Sequence, residues 1–133
     1  MGQLDIFSLE GRVALIPGGG GGIGSAIAEA FAGAGARVAI AGRSREAADA
    51  SVERVQAAGS EGLTITADAT DEADAERMVA ETIDRFGRLD IIVNAVGGGA
   101  GNVLHPAEAY PRESWDWIME LNVRSTIVPT QAA

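Results

Sequence analysis

Seven residues, Gly18-Gly19-Gly20-Gly21-Gly22-Ile23-Gly24, carry the clearest chemistry in this chain. Glycine at this density lets backbone N–H groups reach an anion that a Cβ would hold away. The apolar run Val13-Ala14-Leu15-Ile16, bounded by Arg12 and Pro17, stands ahead of it, and Ile23, Ile27, Ala30, Phe31 and Ala34 recur behind it at helical spacing. The glycines therefore join a strand to a helix start, where unpaired N–H groups and the helix dipole favour a phosphate. Gly19, Gly21 and Gly24 satisfy G-x-G-x-x-G, while Gly18, Gly22 and Gly24 satisfy G-x-x-x-G-x-G, so the glycines alone leave the register open. A P-loop needs Gly-Lys-Ser/Thr at its end, and the chain has no lysine. A flexible linker is the bland alternative, but a linker has no reason to sit inside a strand–helix pair.

The elements that must position this loop follow in a regular alternation. Gly33 and Gly35 stop the first helix, and Arg37-Val38-Ala39-Ile40-Ala41 reads as a second strand ending at Gly42-Arg43-Ser44-Arg45. Where a dinucleotide fold meets the adenosine ribose, an acid selects the 2′-OH of NAD and an arginine accommodates the 2′-phosphate of NADP. Gly42 stands in the acid's place and Arg43 follows it, which favours NADP; the alternative is that Arg43 and Arg45 are ordinary solvated charges. Ser44 can cap a helix over Arg45–Ala58 that Gly59 closes. Leu63–Ala67 is a third strand, Thr70 or Asp71 caps a helix that stops at Gly87, and Leu89–Asn94 is a fourth strand, nearly continuous in apolar residues. This order predicts right-handed crossovers and a parallel sheet in a single domain spanning the 133 residues.

Composition narrows the function classes. The formal charge of −9 argues against a nucleic-acid or anionic-membrane surface, and no stretch reads as a transmembrane span or signal peptide. Without cysteine there is no disulfide, thiolate metal site or thiol nucleophile, no metal site is expected, and cytoplasm is the default compartment. Position 6 is Ile where a myristoylation signal wants Ser or Thr. His105 stands alone in a loop, and Pro111 opens the last helix, which Pro129 should kink or end. Trp115 and Trp117 are expected to pack, and Asn122 shares a helical face with Trp115 and Ile118 that is expected to point inward.

From about Leu9 to the last residue the sequence resembles the short-chain dehydrogenase/reductase family. The family's Thr-Gly-x-x-x-Gly-x-Gly is matched by Pro17-Gly18-Gly19-Gly20-Gly21-Gly22-Ile23-Gly24, which implies the register Gly18, Gly22, Gly24. Its Asp after the third strand, placed near adenine, matches Asp68, which as a residue type is equally at home in a turn. Its fourth-strand Asn-Asn-Ala-Gly matches Asn94-Ala95-Val96-Gly97, and its helix Asn, a member of a catalytic tetrad, matches Asn122. The resemblance implies a Rossmann-type parallel sheet of strand order 3-2-1-4 with helices on both faces, cut off before the fifth strand. It implies pyrophosphate on Gly18, Gly22, Ile23 and Gly24, a 2′-phosphate on Arg43, adenine near Asp68, and the nicotinamide ribose beside Asn94 and Gly97. Asn122 would hold a water in a proton relay, or make a purely structural hydrogen bond. The implied activity is hydride transfer between NADP and a small alcohol or carbonyl, in a homo-oligomer associated through the last helix.

Three departures qualify that expectation. Pro17 replaces the family threonine and Ala95 replaces the second Asn, two positions that help lock the glycine loop to the fourth strand. Gly97-Gly98-Gly99-Ala100-Gly101 makes the following loop loose where nicotinamide is expected. The family Ser and Tyr-x-x-x-Lys have no counterpart: the one tyrosine, Tyr110, is followed four positions later by Ser114, and all ten basic residues are arginine, which does not replace a lysine ammonium in lowering a tyrosine pKa. The chain is therefore expected to be part of a longer enzyme. The alternative is a catalytically inactive nucleotide-binding or interaction module, whose open fourth-strand edge would seek a partner.

Overall fold

The computed structural model describes residues 5–98 and 104–133. Four strands, β1 (Val13–Pro17), β2 (Arg37–Gly42), β3 (Gly62–Thr66) and β4 (Ile91–Ile92), form one parallel sheet in the order β3-β2-β1-β4. Helices α1 (Gly22–Gly33), α2 (Arg45–Ala57) and α3 (Glu72–Phe86) make the crossovers, and α4 (Arg112–Met119), a π-helical turn (Glu120–Arg124) and α5 (Ser125–Ala132) follow. Short 3-10 turns lie at Asp5–Phe7 and Ala107–Ala109. This is the parallel sheet that the alternation of elements predicts, in the Rossmann-type order that the resemblance implies.

Alternation along the strands divides the core in two, because successive side chains of a strand leave opposite faces. Val13, Leu15, Ala39 and Ala41 pack with Ile65, Met78, Val79, Phe86 and Val128 under α3 and α5. Ile16, Val38 and Ile40 pack with Ala28, Ala32, Ala48 and Val55 under α1 and α2. β1 is buried at all five positions, as the central strand of a doubly covered sheet must be.

Local signals set the element ends. Ser44 Oγ accepts from the Ala47 N–H to cap α2, and of the two candidates for α3 it is Asp71 that caps, accepting from the Asp74 N–H. Gly87, at φ 83°, closes α3 in the left-handed conformation. α1 begins within the glycine run, at Gly22. The ladder of β4 is shorter than the expected Leu89–Asn94, although the N–H groups of Asp90, Val93 and Ala95 still donate to Val13, Leu15 and Pro17 (3.0, 3.0 and 2.8 Å). β1 is its one partner in the described sheet, so the far edge is unpaired there. Pro129 does not end its helix: α5 runs through it to Ala132, with the π-helical turn directly upstream of α5.

Candidate functional site

The carboxyl ends of all four strands open into one cleft of about 460 Å³. Pro17, Gly18, Gly20 and Gly21 line it after β1, and Gly42, Arg43, Ser44 and Ala47 after β2. Asp68, Ala69 and Thr70 contribute after β3, and Ala95, Val96 and Gly97 after β4. Trp117, Glu120 and Leu121 form the wall opposite. Adjacent strands β1 and β4 lead to opposite faces, and such a switch point is where an open α/β sheet binds ligands.

The glycine loop is held from both sides. The Gly18 N–H donates to Ala41 O of β2 and the Ala95 N–H donates to Pro17 O, each at 2.8 Å. The tie between loop and fourth strand, which the Pro17 and Ala95 replacements put in doubt, is therefore made by backbone. Gly18 has φ +80°, and a Cβ there would lie 2.4 Å from the Ala95 carbonyl carbon. A Cβ on Gly24 would lie 2.3 Å from Gly18 O, so this glycine lets α1 rest on the turn. Gly21 caps α1 without a side chain, which leaves the first-turn N–H groups of Gly22, Ile23 and Gly24 without a capping side chain. The Ile23 side chain is 77% exposed and lies outside the cleft, so only its backbone is placed to serve a ligand.

On the side of the cleft built after β2 and β3, Arg43 makes no hydrogen bond or ion pair among the described residues, while Arg45 is paired with Asp49 at 3.6 Å. Asp68 Oδ1 accepts from both the N–H (2.9 Å) and the hydroxyl (2.8 Å) of Thr70. These two donors hold the Asp68 carboxyl below its ordinary range against partial burial, with Arg43 adding a smaller push in the same direction. Asp68 is thus a carboxylate at neutral pH, with Oδ2 left for a donor.

Past β4 the site is built by side chains. Asn122, in the π-helical turn, accepts at Oδ1 from the Gly98 N–H (3.0 Å) and donates through Nδ2 to Gly98 O and Ile118 O (both 2.9 Å). It pins the loop to the helix and is itself not in the cleft wall. Asn94 donates to Thr130 Oγ1 at 2.9 Å, and its buried Oδ1 has no partner among the described residues. Of the glycines expected to loosen this loop, Gly99 and Gly101 lie outside the described residues, as does Ala100.

The expected inward face of the last helix needs correction. Trp115 is 54% exposed and Trp117 50%, because α4 lies at the rim and covers the cleft rather than the core. Trp117 faces the cleft instead, a placement that an isolated Trp two positions from another gave no sign of. Thr70, Glu120 and Leu121 were likewise missed, since their only sequence signal is proximity to Asp68 and Asn122. His105 stacks edge-on against Tyr110 at 5.3 Å, and no group of three metal-ligating side chains occurs among the described residues.

Comparison with known proteins shows the family. A family model described as short chain dehydrogenase matches residues 12–133. The chain is 43% identical over 119 residues to a rhamnolipids biosynthesis 3-oxoacyl-[acyl-carrier-protein] reductase of Pseudomonas aeruginosa, covering 90% of this chain and 45% of that protein. It is 43% identical over 124 residues to a sorbitol dehydrogenase of Cereibacter sphaeroides, covering 93% and 46%. A short-chain type dehydrogenase/reductase from Mycobacterium marinum superposes with a TM-score of 0.88 at 33% identity, over 100% of this chain and 53% of that one. This chain belongs to the short-chain dehydrogenase family, oxidoreductases that use a nicotinamide dinucleotide. It spans about half the length of the relatives it matches.

Proposed function

We propose that this chain is the dinucleotide-binding half of an NADP-dependent oxidoreductase that moves hydride between the cofactor and a small alcohol or carbonyl. Arg43 carries the choice of cofactor: it lines the cleft beside the α2 start with no partner among the described residues, and no acid stands at Gly42 to receive a 2′-OH. The residues fit a dinucleotide, since open space lies where a Cβ on Gly22 would stand and α1 begins there with backbone donors without a side-chain cap. Bound there, the nicotinamide ring supplies the hydride acceptor or donor, and the protein supplies orientation and charge.

In this reading Gly18 and the first-turn N–H groups of Gly22, Ile23 and Gly24 take the pyrophosphate, Arg43 the 2′-phosphate and Asp68 the adenine side. Gly97 flanks the nicotinamide ribose, and Asn94 supports that end from beneath through Thr130. Asn122 fixes Gly98 and is the one tetrad member that this sequence carries. The Ser and Tyr-x-x-x-Lys of the chemical step would come from the half of the relatives' length that this chain does not span. Copies associate through α4–α5, where Trp115, Met119, Val123 and Ile127 stand exposed at every fourth position, and sedimentation as a monomer would remove that point. No described helix is long and apolar enough to cross a membrane, and we place the protein in the cytoplasm.

Arg43→Ala tests the cofactor assignment. A charge-assisted hydrogen bond is worth about 1.5–3 kcal/mol, so NADPH binding should weaken roughly 10- to 100-fold with NADH little changed. Equal weakening of both, read by fluorescence titration, would contradict the assignment.

A further inference from the structure

Thr70 is hydrogen-bonded at both ends of its residue. Its N–H and hydroxyl donate to Asp68 Oδ1, and its carbonyl accepts from Arg124 Nε at 2.8 Å. Arg124 closes the π-helical turn two residues beyond Asn122, and Glu120 (3.2 Å) and Glu72 (3.5 Å) flank its guanidinium. Asp68, Thr70 and Glu120 line the cleft, whereas Arg124 does not. Whatever Arg124 does for a ligand it must therefore do through these neighbours.

The Thr70 carbonyl shares its peptide plane with the Asp71 N–H, which donates to Asp68 O at 3.2 Å, so losing the Arg124 bond would loosen the Asp68–Asp71 turn that sets the Thr70 N–H and hydroxyl on Asp68 Oδ1. With Oδ1 held, Asp68 keeps one orientation, and Oδ2 has no hydrogen-bond partner among the described residues. We infer that Arg124 is a positioning residue for dinucleotide binding: it holds the Thr70 carbonyl so that Asp68 presents Oδ2 to an N–H or O–H donor on the adenosine half of the ligand. This rests on the dinucleotide reading of the cleft. The planar fork suits the task, because Nε serves Thr70 while Nη2 faces Glu72 in a second direction, which a single ammonium cannot reproduce. The same turn thereby reaches both ends of the site, Asn122 to Gly98 and Arg124 to Thr70.

The test is a double-mutant cycle read by calorimetric titration of AMP into the wild-type protein, Asp68→Ala, Arg124→Ala and the double variant. Each single substitution should weaken AMP binding about tenfold, and the double variant should bind no more weakly than Asp68→Ala alone, since groups acting in series do not add. Losses that multiply to about a hundredfold, or an Arg124→Ala protein that binds AMP like wild type, would overturn the inference. If circular dichroism shows Arg124→Ala unfolded, Arg124→Gln enters the cycle with the same expectation. Failure of the wild-type protein to bind AMP would overturn the dinucleotide reading and this inference with it; wild-type binding with multiplying losses overturns the inference alone.

Discussion

The two sides of the cleft are made differently. On the β1-β2-β3 side the loops spring from strands of five or six residues, β1 and the middle of β2 being fully buried, and the glycine turn is fixed by backbone bonds from Gly18 to β2 and from Ala95, beyond β4, to Pro17. On the β4 side the ladder is two residues long, Ile91–Val96 are only half-buried, and position depends more on side chains: Asn122 on Gly98 and Asn94 on Thr130. Core packing sets the first side before any ligand arrives. The second is a set of individual hydrogen bonds, each removable by one substitution. In the proposed reading the pyrophosphate would therefore meet a rigid surface, and the nicotinamide end a more adjustable one.

The largest effect should come from breaking the rigid side. Gly18→Ala places a Cβ against the Ala95 backbone at a left-handed φ, and should cost about 3 kcal/mol from strain and overpacking together, read from urea unfolding. Gly22→Ala sharpens the contrast, because nothing lies within 4 Å of its Cβ. It should leave stability within about 1 kcal/mol of wild type, yet lose NADPH binding, since the methyl group occupies the anion's approach. A Gly18→Ala protein as stable as wild type would mean that the turn is not locked.

Breaking the adjustable side should cost less and act locally. Asn122→Ala removes three hydrogen bonds to Gly98 and Ile118, for about 2 kcal/mol, and amide exchange at Gly98 should quicken while Gly18 stays protected. Loss of protection at both glycines would merge the two regions into one.

The smallest effect lies beneath β4, away from the cleft. Asp90 is held down to about 2 from 3.8, first by Arg88, then by the Val13 N–H, with Arg12 contributing and desolvation opposing. Its folded value lies below the unfolded one, so its stabilisation is complete above the unfolded value and disappears as pH falls through about 2. Asp90→Asn should therefore lower the urea midpoint slightly at neutral pH, with the gap to wild type closing in that acid window. A gap independent of pH would contradict the pairing.

The rigid side was also the readable side. Apolar runs, glycine stops and Ser or Asp caps are local signals that placed the strands and helices; the strand order, the Gly18 register and Asp68 came with the family resemblance, and Gly18, Arg43 and Asp68 do line one cleft. The adjustable side was harder to read for a physical reason. The apolar composition of Leu89–Asn94 reports burial but not how many neighbours a strand has, and here β1 is its one described partner. Asn122 in the π-helical turn meets a loop 24 positions away, and the exposure of Trp115 depends on α4 lying at the rim; neither is a property of nearby sequence. Arg124 and Thr70 stand 54 positions apart, and no spacing rule connects them.

The central claim is that both sides meet one ligand, and amide chemical-shift mapping during an NADPH titration tests it most directly. The account predicts saturating shifts with a single dissociation constant at Gly18 to Gly22, at Asp68 to Thr70 and at Gly97 and Gly98. NADH should produce the same pattern only at higher concentration. Shifts confined to one side of the cleft, or none at all, would contradict it.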